Sequence, residues 1–103
     1  MSRFAWFACM DCKVMLWLGK VVDPGVDGPG GFFHIGTSED PPNSARPVLN
    51  RALWKMLADH ARHTFRVVTD QDPEYKALGA YVEIGGDEDR DVGFEAYLKG
   101  WPG

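Results

Sequence analysis

Cysteine is scarce in this chain of 103 residues, which has only Cys9 and Cys12. A disulfide framework of the kind that holds small secreted domains together needs more, so a packed core must carry the fold. Long apolar runs are missing too. No stretch reaches the ~18 residues that a membrane-spanning helix requires. The N-terminal MSRFAWFACMDCKVMLWLGK comes nearest, but Asp11 and Lys13 interrupt it. No small-residue cleavage site follows, so it reads as two strands rather than an export signal, and a reducing cytoplasm is the expected compartment. Basic clusters are also absent. Residues 1–65 carry 7 Lys/Arg against 6 Asp/Glu, whereas residues 66–103 carry 4 against 9, for a formal charge of −4 overall. An acidic C-terminal third repels phosphate backbones, which argues against nucleic acid as a partner. The three serines lie at the N-terminus or in a Pro-rich loop, and there is no G-x-S-x-G elbow. The pattern leans away from catalysis.

Core-forming residues are plentiful, with 45% hydrophobic and 13% aromatic side chains. A chain of this length can bury over half of its unfolded surface, so residues 1–103 are expected to form one globular domain that folds without metal. RFAWFAC (3–9) and KVMLWLGKVV (13–22) read as strands, and the C-x-x-C forms or adjoins the tight reversal between them. DPGVDGPGG (23–31) is too rich in Gly and Pro for helix or central strand. GFFHIG (31–36) reads as a third strand, with Phe32 and His34 on one face and Phe33 and Ile35 on the other. Asn43 or Ser44 is the expected cap of a principal helix running from about Arg46 to about Arg62. Leu49, Leu53, Met56 and Leu57 form its apolar stripe. TFRVVT (64–69) predicts a fourth strand, and DPEYKALG a short helix capped by Asp72. AYVEIGG predicts a fifth strand, and GFEAYLKGW a closing element of undefined type. The expected fold is α+β, a mainly antiparallel sheet of four to five strands with one principal helix on one face and a short second helix.

The chemistry concentrates in two pairs. Cys9 and Cys12, at C-x-x-C spacing on a turn, can point both sulfurs to one centre. His60 and His63, three apart, share a face if both are helical. His60 also continues the stripe through Leu49, Leu53 and Met56 toward the sheet. Together the four residues form the ligand set of a structural zinc, whose dication two thiolates would neutralise. The arrangement resembles zinc-knuckle and treble-clef-like modules, in which a C-x-x-C turn pairs with ligands from a later helix. It departs from them in the 47 residues between Cys12 and His60 and in the short H-x-x-H spacing. Loop closure grows only logarithmically with length, so the first departure is tolerable. His34 is the substitute ligand if His63 turns outward beyond the helix end.

Two other readings compete. CMDCK echoes the W-C-x-x-C-K of thioredoxin-like proteins, which makes dithiol redox chemistry at Cys9 and Cys12 the first alternative. The strand-forming VMLWL behind Cys12 does not supply the helix N-terminus that such a thiol needs. The second alternative is a metal-free interaction domain in which the cysteines are small buried hydrophobes. DEDRDVG (87–93) has calcium-loop-like carboxylate spacing but Val92 where glycine belongs, and so reads as a solvated acidic turn. Trp17, Phe32, Phe33 and Trp101 exceed what a small core needs and are candidate partner-binding residues. The expectation is a non-catalytic, zinc-binding protein-interaction domain, an adaptor, regulator or immunity-type partner.

Overall fold

The computed structural model describes residues 3–22, 30–34 and 41–103. Most of the Gly/Pro-rich connector, Ile35 and the start of the following loop lie outside these residues. Among the described residues five strands form one sheet, β1 (Phe4–Cys9), β2 (Val14–Val22), β3 (Gly31–Phe33), β4 (Phe65–Thr69) and β5 (Val82–Ile84). The main helix α1 spans Pro47–Asp59, and a short helix α2 spans Phe94–Leu98. The fold is α+β, with β1, β2, β3 and β4 paired antiparallel in the order β3-β2-β1-β4. The fifth strand adds parallel to β2.

Strand β2 is long enough to take two partners along one edge. Residues 14–16 pair with β5 and residues 20–22 with β3. The register against β1 skips one residue between these two segments. Ala5 faces Gly19 while Trp6 faces Trp17, leaving Leu18 as the extra residue of a β-bulge. Gly19 has φ +113°, in a region that residues with a Cβ avoid. The buried Asn43 side chain fills the gap, its Nδ2 donating to the Leu18 carbonyl. An added Cβ on Gly19 would collide with that amide.

Side-chain alternation divides the core between the two faces of the sheet. On one face Cys9, Leu16 and Ile84 meet Ala52 and Met56 of α1, with Phe7, Phe65, Leu53 and Tyr97 packed around them. On the other, Ala8 and Val68 meet Leu78 of a 3-10 helix over Pro73–Ala80 and Tyr81, which follows it. Of the predicted stripe, Leu49, Leu53 and Met56 point to the core, whereas Leu57 is substantially exposed.

Three expected caps differ. Asn43 and Ser44 do not cap α1, because Asn43–Ala45 form a separate 3-10 turn and Asn43 turns into the sheet. The helix starts from an extended Arg46 with Pro47 in its first turn, where the missing N–H costs nothing. Asp72 precedes the 3-10 helix but accepts from the Thr69 N–H and hydroxyl instead of capping it. At the other end α1 stops at Asp59, three residues before the expected boundary, and His60 closes it through its N–H to the Met56 carbonyl. The acidic turn is held by Asp91, whose carboxylate accepts from the Glu83 and Glu88 N–H groups.

Replacing Gly19 by Val should destabilise the protein by about 2–3 kcal/mol, combining a disfavoured φ with displacement of the Asn43 amide. The loss would appear as a lower urea midpoint with an unchanged m-value.

Candidate metal centre

Strand pairing builds the site. In the β1–β4 ladder Cys9 stands opposite Phe65. The ladder continues past both strand ends, with the Met10 N–H donating to the Thr64 carbonyl at 2.8 Å and the Thr64 N–H donating to Asp11 Oδ2 at 2.6 Å. The turn carrying Cys12 is thereby fastened to the turn carrying His63. Lys13, at φ +57°, reverses the first turn while its N–H closes onto the Cys9 carbonyl.

The histidines arrive by different routes. His60 sits one turn beyond Met56 on the buried stripe of α1, its ring edge-on to Phe65 at 6.4 Å. His63 is not on the helix face that the spacing suggested. It follows a turn in which its N–H donates to the His60 carbonyl and Arg62 adopts φ +73°. A left-handed residue there reverses the chain into β4, the work that glycine usually does at a helix end. This reversal turns His63 toward His60, with its ring centre 5.5 Å from that of His60.

The four side chains converge. One ligand atom from each of Cys9, Cys12, His60 and His63 lies within 4.8 Å of every other. His63 Nδ1 is 3.4 Å from Cys9 Sγ and 3.3 Å from Cys12 Sγ. Zinc bonds of 2.0–2.3 Å in a tetrahedron place ligand atoms roughly 3.3–3.8 Å apart, so these sulfur–nitrogen distances match such a shell with little movement. Cys9 is wholly buried and Cys12 exposed, both with free thiols. His60 Nδ1 is buried without a hydrogen-bond partner. The arrangement can hold a metal ion.

Electrostatics favour the neutral forms of two of the four side chains, Cys12 and His60. The Cys12 thiol is pushed above its ordinary pKa by desolvation, then by Cys9 and Asp11. That is the reverse of the depressed pKa that a redox-active thiol needs. His60 is pushed below its ordinary value, first by desolvation and then by the neighbouring His63. Its imidazole is therefore neutral and able to ligate at pH 7. The neighbouring Asp59 is engaged elsewhere. Its carboxylate takes the Lys55 ammonium at 2.6 Å and the Tyr97 hydroxyl at 3.4 Å. Lys55 also lies over the Tyr97 ring, so this trio fastens α2 to the end of α1 that delivers His60.

His34, the substitute ligand, is outside the cluster and packs edge-on against Trp17 at 5.3 Å. Phe33 is buried, and with Phe32 it lines an apolar groove between helix and sheet. Trp101 lies under the Arg51 guanidinium, which also donates to its carbonyl at 3.1 Å. Sequence reasoning passed over Trp54, which is 66% exposed on α1. Its place off the Leu49–Leu53–Met56 stripe was the available signal.

Fold and site together define an α+β domain with a two-cysteine, two-histidine cluster able to bind metal. Comparison of the chain with family models, with curated proteins and with solved structures found no match. Among the described residues no helix is long and apolar enough to cross a membrane.

Two outcomes are expected. Asp11→Ala removes no ligand but cuts one of the two hydrogen bonds that join the turns, and should weaken metal binding, probed with zinc, by about 1 kcal/mol, roughly fivefold, in a chelator competition. Metal must displace the Cys12 proton, so zinc affinity should rise with pH between about 6 and 8 with proton release. Calorimetry in buffers of different ionisation enthalpy would show both.

Proposed function

We propose that Cys9, Cys12, His60 and His63 bind one structural zinc ion that joins the β1–β2 turn to the end of α1, in a non-catalytic domain that recognises another protein in the cytoplasm. The convergence of four ligand atoms within 4.8 Å carries this reading. Zinc suits the donor set because thiolate and imidazole together in a tetrahedron are its preferred structural environment. Four protein ligands complete that shell and leave no position for the water that a catalytic zinc activates.

The role in recognition is supported by the outer side of α1. Arg51 and Trp54, three residues apart, share a helix face, and Arg51 covers Trp101. Exposed Trp and Arg are the side chains most often found at interface hot spots. An adaptor or regulator that presents this face fits the observations better than a dithiol oxidoreductase, since neither cysteine stands at a helix N-terminus.

Elemental analysis of protein purified without chelator should give about one zinc per chain. His60→Ala and His63→Ala should each lose most of it. Absence of zinc after zinc-supplemented expression would overturn the reading in favour of a metal-free domain. Trp54→Ala should keep the zinc and change stability by less than about 0.5 kcal/mol. A large drop in its thermal midpoint would assign Trp54 to the fold and remove it from the recognition face.

A further inference from the structure

The face of the sheet opposite α1 carries a pocket of about 320 Å³ that shares no residue with the cysteine–histidine cluster. Trp6 of β1 and Tyr75 of the 3-10 helix both line it, their ring centres 5.3 Å apart and their planes inclined by 33°. Tyr75 is 42% exposed and Trp6 half-buried, so both rings are within reach of a ligand. Tyr81 adds a third ring that is almost wholly buried, its hydroxyl donating to Met10 Sδ at 3.9 Å.

Glu83 brings charge to the same pocket. Strand alternation turns its side chain to this face, since Ile84 lies in the core under α1. Met15, the register partner of Glu83 on β2, packs with Ala8 and Val68. The residue is half-buried, yet no cation is paired with it, for the ion pairs between described residues are Lys55–Asp59 and Arg66–Glu74. Lys76 and Arg90 also line the pocket, but Lys76 is exposed and Arg90 donates to the Gly79 carbonyl. Asp91 instead stands beside Glu83, its carboxylate held by the Glu83 and Glu88 N–H groups. Burial and then Asp91 push the Glu83 carboxyl above its ordinary pKa, with a Trp6 hydrogen bond acting in the opposite direction. A partly desolvated carboxylate beside a second one is relieved by a cation, and aromatic rings next to it favour a weakly hydrated cation.

We propose that this pocket binds a methylated ammonium group, which lies against the Trp6 and Tyr75 rings with its charge offset by Glu83 and Asp91. The rings attract the cation through their quadrupoles and cover its methyl groups. A primary ammonium would have to shed tightly bound water to enter, whereas a trimethylammonium has no N–H to leave unpaired. A free quaternary amine and a methylated lysine side chain both present this group. Nothing in the pocket depends on the metal centre, which lies on the face that α1 covers.

The test titrates the intact chain with choline and follows the tryptophan indole N–H signals by NMR. Expected is saturable choline binding, tighter by roughly tenfold or more than that of its neutral carbon isostere 3,3-dimethylbutan-1-ol. Glu83→Gln keeps the shape and removes the charge, and should weaken choline binding roughly fivefold or more. Tyr75→Ala at the exposed rim should do the same, while Tyr75→Phe should retain binding. If Glu83→Gln does not fold, the two Tyr75 variants decide. Tighter binding of Nα-acetyl-Nε-trimethyllysine amide than of choline would assign the group to a partner's side chain, and the reverse order to a free amine; both support the site. The proposal is overturned if the wild-type chain binds neither ligand, or if the neutral isostere binds as tightly as choline. Equal binding of the unmethylated lysine amide, or unchanged choline affinity in a folded Glu83→Gln or Tyr75→Ala variant, would also overturn it.

Discussion

The antiparallel pairing of β1 with β4 is the constraint on which the rest depends. It puts Cys9 opposite Phe65 and carries on through Met10, Asp11 and Thr64, so two turns far apart in sequence are tied by a backbone hydrogen bond and by the Asp11 carboxylate. The 47 residues between Cys12 and His60 include β2, β3 and α1, each stabilised by its own packing. The entropy of closing the site is therefore met by the sheet and not by a metal ion. Holding the two turns in register also fixes the side chains to within a few ångströms of a tetrahedral shell.

Core and cluster meet at Cys9. It is a wholly buried member of the apolar cluster with Leu16, Ala52, Met56 and Ile84, and its sulfur is also one of the four converging donors. One side chain thus packs the core and anchors the site, which couples the geometry of the cluster to the seating of α1. The Lys55–Asp59–Tyr97 trio acts from the other side, holding α2 against the last turn of the helix. Farther along the same face, an apolar groove lies between α1 and the sheet among the described residues. The helix is seated tightly where the cysteines and histidines gather and loosely where Asn43 repairs the bulge in β2.

Much of this was legible beforehand. The short aromatic and β-branched runs around Phe4–Cys9, Val14–Val22 and Phe65–Thr69 have the composition of strands, and the stripe Leu49–Leu53–Met56 has the period of a helix. The pairing of Cys9 and Cys12 with His60 and His63 came from residue type and spacing. The caps were not legible, because Asn43 and Asp72 have side chains suited equally to capping a helix and to bonding elsewhere, and tertiary contacts chose the latter. The end of α1 was missed for a similar reason. Arg62 is no local stop signal, and only the need to enter β4 forces it into the left-handed region.

The sequence by itself determined most element types, the α+β class and a short set of candidate ligands, Cys9, Cys12, His60 and His63 with His34 as substitute, since these follow from local periodicity and from the scarcity of Cys and His. Tertiary structure alone decided that His63 and not His34 completes the cluster. A residue beyond a helix end points wherever the reversing chain sends it, and that direction is set by the β1–β4 register rather than by any spacing. It likewise decided that Asn43 turns into the sheet beside the bulge at Leu18 instead of capping α1, because its amide donates to the Leu18 carbonyl there.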